Sequence, residues 1–271
     1  MCENKKHVIQ GKIIHNKNVA PDHFEMKIAS DVLPDISRPG QFVNVKINNE
    51  AQLLRVPLGI HDAGPGYICL LYKVVGEATH ALKCMGKDDM VDVLGPLGNS
   101  FNIGPVEGSE RAKAFLVAGG HGIAPLYFLA RVLTGKGIDT EVFIGARSAS
   151  HVVCADKTRD TGAKVHISTE SGDAGHKGYV TGPLTDSLKA RGKGATTIFA
   201  CGPRSMLAAV SGIADEYGIP AEVSVDAYMA CGIGACLGCA IRTRTGYKLV
   251  CKDGPVFDHS IIDWAHEKAN G

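Results

Sequence analysis

Ala114-Phe-Leu-Val-Ala118-Gly-Gly-His-Gly122-Ile-Ala-Pro125-Leu-Tyr-Phe-Leu-Ala-Arg-Val-Leu133 is the stretch that decides the fold. The apolar run Phe115 to Ala118 has the length of a buried strand, three glycines follow, and Pro125 to Leu133 is long enough for a helix. A second apolar run, Glu141-Val-Phe-Ile144, comes next, and Lys164 to Ser168 and Thr197 to Ala200 continue the series. Strand, glycine turn, helix, strand is the pattern of a parallel α/β sheet. Gly119, Gly120 and Gly122 let the main chain approach a pyrophosphate, and the helix start offers N–H groups and partial positive charge. Pro125 suits the first helical turn, where no N–H is missed. It also stands where G-x-G-x-x-G has its third glycine, so the turn alone equally suits a plain strand–helix connection.

Upstream the style is different. His7 to His15, Phe24 to Ile28, Phe42 to Ile47, Tyr67 to Val75 and Met90 to Leu94 read as short strands between turn signals such as Arg38-Pro-Gly40 and Gly95-Pro-Leu-Gly98. In the third, Val43, Val45 and Ile47 share one face, with Asn44 and Lys46 on the other. Many short strands without long helices predict a small antiparallel barrel. The stretch Gly104 to Arg111 marks the change of style, and from about Asp226 the chain becomes short and glycine-rich. The expected units are residues 1–105, 112–224 and 225–271.

The last unit contains Cys231-Gly-Ile-Gly-Ala-Cys236-Leu-Gly-Cys239, with a fourth thiol at Cys251. C-x4-C-x2-C is the plant-type ligand spacing of a [2Fe–2S] cluster. Gly232, Gly234 and Gly238 would let backbone N–H groups approach the sulfides. A four-thiolate zinc site is one alternative, but such sites are usually built from paired C-x2-C knuckles, and one is present here. A disulfide is the other, and no secretory feature accompanies it.

Composition narrows the classes. Twenty-nine basic and 28 acidic residues give no nucleic-acid face and no acidic tail. No stretch approaches the roughly 18 apolar residues of a membrane span. The 33 glycines in 271 residues are about 12 %, against about 7 % in ordinary chains. Cys2, Cys69, Cys84, Cys154 and Cys201 are scattered like reduced buried thiols, so a cytoplasmic location is expected.

A second turn, Phe199-Ala-Cys201-Gly202-Pro203-Arg-Ser-Met206, again ends a strand and precedes a helix. Together the two turns resemble those of the ferredoxin–NADP reductase superfamily, where they hold a nicotinamide dinucleotide at the switch point of the sheet. That resemblance places Cys201 at the nicotinamide as the catalytic residue, with Gly202, Pro203 and Met206 around it; a buried structural thiol is the plainer role for Cys201. It also implies a flavin on the barrel. Arg55, Val56, Pro57, Leu58 and Gly59 lie where the superfamily carries its flavin motif, Leu71, Tyr72 and Lys73 at the flavin, and Gly76, Ala78 and Thr79 at its pyrophosphate. Thr79 is expected to cap a helix from His80 to Cys84. Strand, turn and capped helix are all that the residues alone require.

The order of barrel, dinucleotide unit and C-terminal cluster resembles the electron-transfer subunits of B-type dihydroorotate dehydrogenase. Pro39-Gly-Gln-Phe-Val43, Leu54-Arg-Val-Pro-Leu58, Leu71-Tyr-Lys-Val-Val-Gly76, Gly95-Pro-Leu-Gly-Asn99, Gly175-His-Lys-Gly-Tyr-Val-Thr181, Ala200-Cys-Gly-Pro203 and Met229 to Cys239 carry it. The resemblance implies FAD, a [2Fe–2S] cluster on Cys231, Cys236, Cys239 and Cys251, and NAD(H), with NADP(H) the other possibility. Glu170 and Asp173 favour NADH, while Arg147 and Ser148 could meet a 2′-phosphate. It further implies hydride exchange with FAD and single-electron passage to a catalytic FMN-containing subunit in a heterotetramer of pyrimidine biosynthesis. Two departures stand out: Val56 replaces an arginine that neutralises a flavin phosphate, and Gly59 replaces a serine near the flavin ring. Related modules in NADH-dependent ferredoxin–NADP oxidoreductase and sulfide dehydrogenases carry an Arg-x-Pro-Leu run closer to Arg55 to Leu58. Met229, Ile233 and Leu237 around the ligands are expected either to form a docking patch or to shield the cluster from water.

Overall fold

Six strands of the first hundred residues curl into a closed barrel in the computed structural model, which describes residues 6–47, 54–107, 112–190 and 195–267. They are β1 (His7–Ala20), β2 (His23–Ala29), β3 (Phe42–Lys46), β4 (Val56–Gly64), β5 (Tyr67–Lys73) and β6 (Met90–Leu97), in the order β1-β2-β5-β4-β3-β6. A short helix α1 (Leu33–Ile36) precedes β3, and α2 (Glu77–Cys84) links β5 to β6. Val43, Val45 and Ile47 point inward to Ile13, Met26, Ile68 and Leu70. Each fully buried side chain of this size stabilises the fold by about 1.5–3 kcal/mol, and closure leaves no unpaired edge. On the outer face Lys46 is exposed but Phe42 and Asn44 are covered by the C-terminal segment.

The second sheet follows the pattern of Phe115 to Ile144. Strands β7 (Lys113–Gly119), β8 (Asp139–Ala146), β9 (Lys164–Thr169), β10 (His176–Lys177), β11 (Thr196–Cys201) and β12 (Ala221–Ser224) pair in parallel. Helices α3 (Ile123–Gly135), α4 (Ala155–Arg159), α5 (Thr181–Ala190) and α6 (Arg204–Tyr217) connect them. Residues 108–111 of the expected linker lie outside the described residues.

Beyond β12 the chain makes the hairpin β13 (Ala240–Thr243) and β14 (Gly246–Leu249), one turn of helix α7 (Val250–Asp253) and β15 (Val256–Asp258). The sheet is therefore not wholly parallel. β15 pairs antiparallel with β12 and becomes its seventh strand, in the order β10-β9-β8-β7-β11-β12-β15. Among the described residues no helix is long and apolar enough to cross a membrane.

The barrel touches the rest of the chain along two seams. Against α3 and α4 the contacts are charged: Arg131 pairs with Asp62 at 2.8 Å and Lys157 with Glu25 at 2.6 Å. His61, fully buried there, meets the Ala124 carbonyl at 2.8 Å and stacks on Tyr127. Against the C-terminal segment Asn99 acts like a strand partner. Its Nδ2 donates to the Val256 and Asp253 carbonyls at 2.8 and 3.2 Å, and its Oδ1 accepts from the Val256 N–H at 2.9 Å.

Candidate functional site

Three of the predicted thiols, Cys231, Cys236 and Cys239, lie in a loop with almost no regular structure, and Cys251 reaches them from α7. The loop's shape is set by backbone conformation and by N–H donors. Gly232 and Gly234 have φ of 68° and 84°, as the sequence predicts, but Gly238 does not take a positive φ. The third left-handed position is Leu237, at 60°. This turn places main-chain N–H groups around sulfur: those of Ala235, Cys236 and Ile233 point to Cys231 Sγ at 3.3, 3.4 and 3.5 Å. Gly234 N–H meets Cys251 Sγ at 3.1 Å, and Cys251 N–H meets Cys239 Sγ at 3.4 Å.

The thiols fall into two pairs, Cys231 with Cys236 and Cys239 with Cys251. Cys239 and Cys251 are 2 % and 4 % exposed and belong to the core shared with the second sheet. Cys236 is exposed. Burial pushes the Cys231 thiol up, but the surrounding N–H groups outweigh it and bring it down to about 6. Burial and the neighbouring Cys239 push Cys251 up to about 12. Two sulfur pairs ringed by N–H donors fit two irons bridged by sulfide.

The two glycine turns pack against each other at the carboxyl ends of neighbouring β7 and β11, where Ala118 stands opposite Cys201. A Cβ on Gly122 would enter the Cys201 carbonyl, and one on Gly202 would lie 2.9 Å from the Gly119 Cα. A Cβ on Gly119 would lie 2.7 Å from Met206 Sδ and Pro203 Cδ. Gly120 differs, with φ of 51° and open space beyond its Cβ direction. The chain's direction of strand addition reverses between β7 and β11, so this is the switch point at which open sheets bind ligands. Pro125 sits buried in the first turn of α3. Burial holds the Cys201 thiol up at about 12 despite a hydrogen bond with Ser224, so it is a neutral group. Between β9 and β10, the Asp173 carboxylate accepts from Ala149 N–H, just past β8, at 2.9 Å and from Ser171 Oγ at 2.6 Å.

On the barrel, Pro57 and Gly59 share the outer face of β4, opposite Asn44 and Phe42 of β3. Val56 and Leu58 pack toward the barrel core. No atom lies within 4 Å of a Cβ direction at Gly59 or at Gly76, which leaves a cradle for a planar ring and a phosphate. Tyr72 Oη bonds Asn16 at 3.0 Å inside the barrel, so Leu71 to Lys73 can offer a flavin their main chain rather than the phenol. Thr79 is not the helix cap. Gly76 is, and Thr79 sits at the third helical position, its Oγ1 accepting from Val75 and Gly76 N–H at 2.9 and 3.1 Å. Ala78 and Glu77 thus open α2 at its positive end. Arg55 stands apart from this face, pairing with Asp92 and donating to the Asn44 carbonyl at 3.3 Å.

Of the expected docking residues, Ile233 and Leu237 are exposed, whereas Met229 is partly buried against the core. Tyr228 (98 % exposed) and Tyr247 join the exposed apolar side chains of this segment. Asn44 and His61 carry no pattern in the sequence, because an isolated Asn or His is legible only through its tertiary partners, and the motif that contains Asn99 does not say what it meets.

Comparison with known proteins agrees with this geometry. Residues 226–263 match the iron–sulfur cluster binding domain of dihydroorotate dehydrogenase B, and residues 116–212 match the oxidoreductase NAD-binding domain. The dihydroorotate dehydrogenase B (NAD(+)) electron transfer subunit of Desulforamulus reducens is 36 % identical over 267 residues, covering 95 % of this chain and 98 % of that protein. The same subunit of Fusobacterium nucleatum is 34 % identical over 253 residues, covering 92 % and 95 %. Among solved structures, NADH-dependent reduced ferredoxin–NADP oxidoreductase superposes with a TM-score of 0.82 at 31 % identity, covering 95 % of this chain and 91 % of that one. The Amycolatopsis cytochrome P450 reductase GcoB shares the fold, with a TM-score of 0.66 at 19 % identity over 78 % and 66 % of the two chains. With paired thiols, a dinucleotide switch point and relatives that match from end to end, the chain belongs to the family of dihydroorotate dehydrogenase B electron transfer subunits.

Proposed function

We propose that the chain passes electrons between NAD(H) and a catalytic FMN-containing subunit that interconverts dihydroorotate and orotate in the cytoplasm, as part of pyrimidine biosynthesis. The observation that carries this is the docking of the loop of Cys231, Cys236 and Cys239 on the outer face of β3, beside the flavin strand β4. When bound, NAD(H) and FAD supply hydride exchange and the cluster supplies single-electron passage. The chain's own residues bind and orient. Gly119, Gly120, Gly122, Gly202, Pro203 and Met206 shape the dinucleotide turn, and Cys201 fills its floor as a neutral thiol. Pro57, Gly59, Leu71, Lys73 and Gly76 shape the flavin cradle, with Thr79 fixing the start of α2. Cys231, Cys236, Cys239 and Cys251 hold the cluster. Residues 1–105, 112–224 and 225–271 are the corresponding functional units.

Asp173, between β9 and β10 and bonded to the Ala149 N–H past β8, supports NADH over NADPH, because a carboxylate repels a 2′-phosphate. Exposed Ile233, Leu237 and Tyr228 suit a partner surface, and a heterotetramer of two subunits of each kind is the expected assembly.

The test is anaerobic purification with and without a catalytic FMN subunit. The protein should hold about two irons and two labile sulfides per chain, and Cys236→Ser should strip the iron while leaving FAD bound. Dye reduction by NADH should need the chain alone, and dihydroorotate oxidation should need the partner. Stoichiometric zinc, or dihydroorotate oxidation by the chain alone, would overturn the proposal. A second role has its own support: Arg55-Val-Pro-Leu58 and the 0.82 superposition favour a module of NADH-dependent ferredoxin–NADP oxidoreductase type. The partner that co-purifies decides between them.

A further inference from the structure

We propose that Asn44 is a positioning residue that couples the flavin side of the barrel to the cluster by holding the main chain at Cys231. This rests on the assignment of the four thiols as cluster ligands. Asn44 is 1 % exposed, although Lys46 on the same face of β3 is in solvent. Its amide Nδ2 donates to the Cys231 carbonyl at 3.1 Å. In the β3–β4 register it stands opposite Pro57, one pair along from Phe42 and Gly59. One side chain therefore touches a cluster ligand and shares its face with the flavin strand.

The junction is shaped from both sides. Gly232, next to Cys231, has φ of 68°, and a Cβ there would collide with the Asn44 amide. Behind Asn44, Arg55 donates to the Asn44 and Asp92 carbonyls at 3.3 and 3.4 Å and pairs with the Asp92 carboxylate. Gln10 donates to that carboxylate at 2.8 Å. The brace thus runs from β1, β6 and Arg55, the residue before β4, through β3 into a loop with little structure of its own.

The amide is not needed for packing. Asn44 Oδ1 is buried and finds no donor among the described residues. A side chain with half its polar capacity unmet is a poorer filler than an apolar one of equal size. What the amide adds is its N–H. That donor fixes the carbonyl of the residue whose sulfur collects three N–H bonds from the loop.

Two substitutions separate holding from filling. Asn44→Ala removes the donor and the volume. Asn44→Asp keeps the shape and sets an acceptor against the Cys231 carbonyl. The FAD- and iron-loaded protein is mixed with NADH under anaerobic stopped flow, and flavin bleaching and cluster bleaching are followed separately. The midpoint potential and the magnetic resonance spectrum of the reduced cluster are recorded on the same samples. Flavin reduction should be unchanged in both variants. Cluster reduction should slow roughly tenfold, the population change expected from one buried hydrogen bond, and slow more in Asp than in Ala. Potential and spectrum should shift in the same order, and if either variant loses iron, the loss should follow that order too. An Asn44 that merely fills space would give the reverse ranking, with Asp close to the parent, and would overturn the proposal. Unchanged rates, potential and spectrum in both variants would do the same. A parent protein without iron and sulfide would instead remove the cluster assignment on which the proposal rests.

Discussion

Along the seam between the barrel and helices α3 and α4, long charged side chains meet across a partly wet surface. Along the seam with the C-terminal segment, the contacts are neutral amides, backbone carbonyls and glycines. Lys157, Glu25, Arg131 and Asp62 belong to the first, Asn44, Asn99, Gly98 and Gly232 to the second. The physical consequence is a division of sensitivities. Flexible ion pairs re-form after a small displacement, but they respond to pH and salt. Short amide bonds beside glycines hold one register and do not titrate, but they tolerate no added atom. The nucleotide side is thus joined by the adaptable seam and the cluster by the rigid one.

The largest expected effect attacks the rigid seam. Gly98 has φ of 71°, and a Cβ there would lie 2.6 Å from Pro255 Cδ and 2.8 Å from the Gly254 carbonyl. Gly98→Ala should cost about 4 kcal/mol or more, since strain and backbone overlap add. Urea unfolding measures it, and a parent-like midpoint would mean that this seam yields after all.

Next comes Asn99→Ala. Its side chain makes three hydrogen bonds to Asp253 and Val256. Each is worth about 1 kcal/mol, and groups left unpaired raise the loss to about 3–4 kcal/mol. The melting temperature should fall by roughly 6 °C or more at pH 8 and by the same amount at pH 6. A loss that changed with pH would contradict the neutral character of the seam.

The charged seam should show the opposite behaviour. Burial, with Lys157 beside it, brings His61 down from 6.5 to about 4. The unfolded chain therefore binds a proton between these values that the folded chain refuses, so stability is full above pH 6.5 and falls as pH drops toward 4. The loss reaches up to roughly 3 kcal/mol. His61→Leu should flatten that part of the stability profile, and an unaltered slope would move the cause to other groups, such as His121, which burial also lowers to about 4.

Smallest is Lys157→Met. The Lys157–Glu25 pair is partly open to water, so its loss should cost about 1 kcal/mol or less. Because Lys157 depresses His61, the same change should raise the His61 titration seen by NMR and make the acid loss shallower. Salt should mimic the substitution in the parent and do nothing to Asn99→Ala.

Much of the site was legible in the sequence because periodicity, glycine turns and ligand spacing are local. Gly119 to Pro125 and Cys201 to Met206 lie at strand ends as their patterns predict, and the four cysteines meet as pairs. Errors fell where local chemistry had several solutions. Thr79 reaches back from inside α2 rather than capping it, because Gly76 can take the extended cap conformation and leave the hydroxyl free to bond its N–H. Leu237, not Gly238, takes the left-handed turn, since the loop's curvature is set by the sulfurs it must surround. Met229 turns inward because the segment's own core needs it.

By itself the sequence determined the two architectures, the position of the glycine turns and the segment that carries the four thiols. Each depends on residues within about a dozen positions of one another, and strand alternation, helix start and metal-ligand spacing operate on that scale. Only the tertiary structure decided what joins the parts. Asn44 meets Cys231 across 187 positions, Asn99 meets Val256 across 157, and β15 returns to close the sheet beside β12. A single Asn or Gly has no periodicity to betray its partner. Its role is set by which backbone group the fold happens to bring within hydrogen-bond reach, and that is a property of the packed chain.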